Sequence, residues 1–114
     1  MSSNNIEIAA LAKICNEALI LSALTEGPRH GYQIALEIEE ESGGMFQFNH
    51  GTLYPILHKL EKKGFIRGNW KHPKGERKRK YYILTSGGKK YLTNLNIDLK
   101  IFLDTLYSMT GGKP

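Results

Sequence analysis

Cysteine is almost absent from this chain. Cys15 stands alone among 114 residues, so no disulfide can form within the chain and a reducing compartment suits it. Long apolar runs are missing too. No stretch approaches about 18 apolar residues, so nothing is expected to span a membrane. The opening residues, Met1 to Glu7, have neither the basic start nor the apolar run of a secretory signal. Histidine is sparse and scattered. His30, His50, His58 and His72 include no pair at i,i+4, and none lies beside the cysteine, so no metal site is expected. There is no phosphate-cradling glycine loop and no Ser-His-acid set at local spacing. Neither an enzyme nor a cofactor is expected. Internal repeats and low-complexity segments are absent as well.

What is present is ordinary in amount and uneven in placement. A hydrophobic content of 40% and a charged content of 24% suit one modest globular domain, of a size that often gains stability from a partner subunit. The charge is concentrated. From Lys59 to Lys80 ten Lys and Arg face only Glu61 and Glu76, a balance of +8 in a chain that totals +5. The remainder is therefore net acidic, and the basic charge is a patch, not a solvating coat. A pI near 9.4 favours an acidic partner, nucleic acid before an anionic membrane surface.

Periodicity divides the chain into six pieces. Leu11, Ile14, Cys15, Ala18, Leu21 and Leu24 recur at helical spacing over residues 6–25, and Gly27-Pro28 ends that helix. A second helix over 31–42 carries Ile34, Ala35 and Ile38 on one face. Its acids Glu37, Glu39, Glu40 and Glu41 are expected in solvent, which argues against this helix lying along phosphates. The third helix starts at Asn49, a good N-cap, and stops at Gly64. Leu53, Ile56, Leu57 and Leu60 make its core face. Gly51, Thr52, Tyr54, Pro55, His58, Lys59 and Lys62 occupy the opposite arc. Residues 65–71 and 77–84 read as two strands around the turn His72-Pro73-Lys74-Gly75-Glu76. Thr85 or Ser86 caps a last helix to Met109, roughly 35 Å long. Leu92, Leu95, Leu99, Phe102, Leu106 and Met109 form a heptad seam along it, and Ile97 and Ile101 lie on its far side. Two apolar faces on one helix point to a second subunit.

Three helices, a hairpin and a long terminal helix make a mainly α winged helix-turn-helix with a dimerisation helix. Residues 1–85 are expected to form the DNA-binding unit and 86–114 the dimerisation helix. The segments Leu19 to Gly27, His30-Gly31-Tyr32-Gln33-Ile34, Gly51-Thr52-Leu53-Tyr54-Pro55, Leu60-Glu61-Lys62-Lys63-Gly64-Phe65-Ile66 and Arg79-Lys80-Tyr81-Tyr82-Ile83-Leu84-Thr85 resemble the PadR family of bacterial transcriptional regulators. The match covers roughly residues 15–92, and its motifs are specific in combination. The resemblance implies a repressor relieved by a small molecule, working on the bacterial nucleoid in the cytoplasm. It places the DNA-reading helix at residues 49–63. It also implies that the last helix packs with the partner's N-terminal and C-terminal helices. Some small members carry a tryptophan on that helix, which sandwiches flat aromatic drugs. This chain has Leu99 at that position, so a stacking pore is not expected.

An isolated polar helix face is ordinarily just solvated. Here the face continues into Lys59 and Lys62 and borders a basic ribbon, so Thr52, Tyr54 and His58 are expected to meet phosphates or base edges. A charge run is by default a solvated hairpin tip. On a ribbon beside a recognition helix, Lys74, Arg77, Lys78 and Arg79 can reach phosphates or the minor groove, with Arg79 and Lys80 alternating so that only one faces DNA well. Trp70, Tyr81 and Tyr82 read as packing at the wing base, and Cys15 as a small core residue. A small hydrophobic effector, if one binds, is expected on the two-fold axis against Leu99, Phe102 and Leu103, with Ile14 or Ala18. Core packing explains the same residues. The rival reading is a winged helix that binds protein and not DNA; such a module has no need of the basic patch.

Overall fold

The structure, a computed structural model, describes residues 15–112. The expected helix start near residue 6, and the core positions Leu11 and Ile14, lie outside the described residues. Residues 15–23 are helical (α1) and end in a turn before Gly27, as the Gly-Pro pair implies. Next comes a short strand absent from the sequence reading, β1 at Arg29–His30. It leads directly into α2, Gly31–Glu41. His30 caps that helix: its Nδ1 accepts the Gln33 N–H, and the Gln33 side chain accepts the His30 N–H, both at 3.3 Å.

The third helix, α3, spans His50–Lys62. Asn49 Oδ1 accepts the Thr52 N–H at 2.9 Å at its start, and Gly64 with φ 82° follows its C-cap. Strands β2 (Ile66–Lys71) and β3 (Arg79–Leu84) form the hairpin. The helix α4 runs Ser86–Met109. Thr85 joins the start of α4 to the end of α3: its hydroxyl accepts the Gly88 N–H at 3.0 Å and donates to the Gly64 carbonyl at 2.7 Å. The sheet is antiparallel in the order β1-β3-β2, with Gly68 opposite Tyr82, Trp70 opposite Lys80 and His30 opposite Tyr81. Two residues are too few to show a period of two, which is why β1 left no mark on the sequence.

Ile20 and Leu21 from α1, Ile34 from α2, Leu57 and Leu60 from α3 and Ile66 from β2 are fully buried. Each contributes up to about 1.5–3 kcal/mol. Tyr82 enters this core from β3, and burial pushes its hydroxyl up to about 12. One acid departs from the expected solvent face. Glu37 is half-buried and accepts from Arg29 Nε at 2.8 Å. The second helix thereby turns one carboxylate inward to hold β1.

The terminal helix divides along its length. Leu92 is buried in the protomer's own core, and Leu95 and Leu99 pack against that core. Phe65 and Tyr91 stack at 4.2 Å, and the Tyr91 hydroxyl donates to Glu17 at 2.7 Å. Farther on, Ile101, Phe102, Leu103, Leu106 and Met109 are exposed. The heptad seam is thus half intramolecular, because its first turns are needed to close the winged domain. Among the described residues no helix is long and apolar enough to cross a membrane.

Candidate nucleic-acid interface

The exposed side of α3 presents Gly51, Tyr54, Pro55, His58, Lys59 and Lys62, as helical spacing predicts. Thr52 sits partly under this face, half-buried, with its N–H held by Asn49. Tyr54 is fixed on two sides. Its ring stacks on His50 with centroids 5.2 Å apart, and its hydroxyl lies over Gly31, where a Cβ would come within 2.5 Å of it. The glycine at the start of α2 therefore makes room for a tyrosine on α3. Two segments that look unrelated in sequence meet at one contact.

The wing supplies the second wall. Lys74, Arg77 and Lys78 at its tip are exposed, as are Arg67 and Lys71 along β2. None of these five, nor Lys62, makes an ion pair among the described residues. Other cations of the patch have partners within the chain. Lys59 reaches Glu17 on α1 at 3.4 Å, and Lys80 reaches Glu61 at 2.9 Å. Arg79 lies against the ring nitrogens of His30 at 3.1 and 3.2 Å. Burial first, then the Arg79 charge, hold the His30 imidazole below its ordinary value, against a smaller upward pull from Glu76. A neutral ring suits both the Gln33 cap and the Arg79 contact. Burial raises Glu17, but hydrogen bonds from Tyr91 and Lys59, with the Lys63 charge, outweigh it and leave the carboxyl lowered. So Arg79 and Lys59 project less freely than their neighbours on the same elements.

Between the wing and the N-terminal ends of α2 and α3 opens a cleft of about 610 Å³, lined by His30, Tyr32, His50, Tyr54, Trp70, Arg77, Lys78 and others. Three of its exposed residues escaped the sequence reading as interface candidates. Tyr32 and Trp70 are 63% and 62% exposed, and His50 stands at the first turn of α3. Trp70 overturns its expected place in the wing base. Ile66 and Gly68 fill the nearer positions on the same strand face, so the indole projects beyond the core, under the Lys78 ammonium at 5.5 Å. Only His50 had a sequence signal, its position directly after the N-cap. Cys15 is half-buried, and no three His, Cys, Asp or Glu among the described residues are grouped to hold a metal ion.

A three-helix core with a basic, hairpin-shaped wing beside an exposed helix face defines a winged helix-turn-helix protein. The chain belongs to the PadR-like family of transcriptional regulators, whose family model matches residues 20–94. It is a transcriptional regulator and not an enzyme. An uncharacterized protein of Lysinibacillus sphaericus is 39% identical over 79 residues, covering 69% of this chain and 72% of that one. A transcriptional regulator from Clostridium thermocellum has a structure similar at a TM-score of 0.80, with 25% identity over 88% of this chain and 97% of that one. The third relative is the negative transcriptional regulator PadR of Bacillus subtilis, 36% identical over 73 residues, or 64% of this chain. The match spans only 40% of that longer protein. Its structure in complex with operator DNA is similar at a TM-score of 0.65, with 33% identity over 72% of this chain and 46% of that one.

Proposed function

We propose that this regulator binds a palindromic operator as a homodimer and represses transcription, with relief by a small hydrophobic effector. The observation that carries the DNA reading is the row of cations that have no ion-pair partner among the described residues, Lys62, Arg67, Lys71, Lys74, Arg77 and Lys78, flanking the exposed Tyr54 and His58. Within it α3 enters the major groove, where Tyr54, His58 and Thr52 meet base edges or phosphates, and Lys59 and Lys62 meet the backbone. The wing tip, Lys74, Arg77 and Lys78, grips phosphates, with Arg79 behind it. The operator complex of the B. subtilis relative supports the DNA partner, and that relative's description as a negative regulator supports repression.

Residues 1–85 act as the DNA-binding unit and 86–114 as the dimerisation helix. The bare apolar half of α4, with Phe102, Leu106 and Met109, supports this division, while Leu92, Leu95 and Leu99 anchor the helix to its own domain. An effector at the centre of α4 would meet Leu99, Phe102 and Leu103, and would act by preferring one dimer arrangement over another. Selection of bound fragments from genomic DNA tests the reading. Enrichment of an inverted repeat beside a regulated gene is the expected result. A protein that enriches no sequence, and binds all duplexes alike, is not an operator-specific regulator.

A further inference from the structure

The acid Glu61 is an anomaly on a surface built to attract phosphate. It lies in the last turn of α3, half-buried, within the most basic stretch of the chain. Both of its oxygens are used, each by a different strand of the wing. Oε2 accepts the Gly68 N–H of β2 at 3.2 Å, and Oε1 accepts the Lys80 ammonium of β3 at 2.9 Å. Among the described residues these are the only side-chain hydrogen bonds that join α3 to the hairpin. The sequence accommodates them at a cost. Gly68 sits in a strand, where glycine is unfavourable, because any Cβ there would overlap the Lys80 side chain and press on Glu61 and Tyr82 at 3.2 Å. The bare backbone lets Lys80 lie across the ribbon, with its ammonium 5.5 Å from the Tyr82 ring centroid.

We propose that Glu61 is a positioning residue for DNA recognition: its carboxylate, clamped by the Gly68 N–H and Lys80, fixes the angle of the wing to α3. This rests on the DNA-binding reading above and deepens it. An ion pair of this exposure adds little stability by itself, so its worth lies in geometry. The wing tip stands roughly 15–20 Å beyond Gly68 at the rise of a strand. A change of about 10° at the clamp moves the tip by roughly 3 Å, a full hydrogen-bond length. Phosphate contacts from Lys74, Arg77 and Lys78 and base contacts from α3 are then no longer made together. Lys80 acts through the clamp, not on DNA.

The sign of one substitution separates this from simple electrostatics. Removing a carboxylate from a DNA-facing surface strengthens attraction to every duplex. Loss of position weakens the operator alone. The experiment measures affinity of the full chain for the selected operator and for a scrambled duplex of equal length, in wild type, Glu61→Ala and Glu61→Gln. In Glu61→Ala the scrambled duplex is held as well or better, while the operator-to-scrambled ratio falls about tenfold, the scale of one mismatched base pair. Glu61→Gln, which keeps an acceptor for Gly68, falls less and guards against a folding defect. A ratio unchanged in both variants overturns the proposal. If wild type itself prefers no duplex, the DNA reading has failed, and the clamp is judged alone by spin-label distances in the free protein. Labels on Lys63→Cys and Glu76→Cys in a Cys15→Ser background should give a broader distance distribution in Glu61→Ala; an identical distribution overturns the clamp.

Discussion

At the residue scale the interface depends on side chains held by partners remote in sequence. Tyr54 is aimed by His50 and by the space over Gly31. Gly31→Ala should therefore cost about 1–3 kcal/mol of stability, the scale of overpacking. In a Tyr54→Ala background most of that cost should vanish, a coupling of about 1 kcal/mol or more in denaturant unfolding. Strictly additive costs would show that the two residues do not press on one another. His30 carries a second prediction. Its imidazole is held below its ordinary value by burial and by Arg79, so the fold favours the neutral ring. The stability this confers is fully present above the unfolded pKa, roughly 6.5, and is lost as pH falls through the lower folded value. Tyr81, Arg79 and Glu76 face the ring, and only Glu76 opposes the shift. Melting temperature should drop as pH falls below about 6.5, and His30→Asn, which retains a capping oxygen, should flatten that drop.

At the element scale the wing and α4 each have two halves with different duties. The wing's base packs Ile66 and Tyr82 into the core, while its tip holds cations in solvent. Replacing Lys74, Arg77 and Lys78 together by alanine should leave the fold intact and weaken binding to all DNA. Log affinity against log salt should flatten by about 0.9 for each phosphate that is no longer neutralised. A wild-type slope in that variant would reduce the tip to a solvated turn. On α4, Leu92→Ala should cost about 2–5 kcal/mol of domain stability, because Leu92 is 8% exposed within the protomer. Phe102→Ala, at a position 58% exposed, should leave the domain's intrinsic stability nearly unchanged and instead raise the dimer dissociation constant in sedimentation.

At the scale of the whole molecule, the exposed end of α4 and the cationic face of α3 together constrain the assembly. In the proposed dimer a two-fold axis through the bare half of α4 would relate two α3 helices, and two such helices would read inverted half-sites. Their centres should lie about 10–10.5 bp apart, or a multiple of that, along the duplex. Footprinting should show a symmetric protected site with two protomers per duplex. Protection of one asymmetric half-site by a single protomer would contradict the arrangement. The pair Phe102→Glu and Leu106→Glu should convert the protein to monomer, and a monomer bound to one half-site should lose affinity for the full operator.

The sequence by itself determined α2, α3 and α4, the caps of α3 and α4, the hairpin and the basic patch, because these rest on short-range rules. Asn49 and Thr85 cap where a free N–H must be met, Gly64 takes the left-handed turn, and Leu53, Leu57 and Leu60 recur at the helical period. It also placed Tyr54, His58 and Lys62 on one exposed face. What only the tertiary structure decided is which charges remain available. Lys59, Arg79 and Lys80 look equivalent to Lys62, Arg77 and Lys78 in a row of letters. Glu17, His30 and Glu61, brought in from other elements, engage the first three and not the others. The same holds for β1, which exists only because β3 lies beside it, and for the seam on α4, whose period cannot say whether a leucine meets its own core or a partner's. Period and composition are properties of a segment, whereas pairing depends on approach in space between residues as distant in sequence as Glu17 and Tyr91.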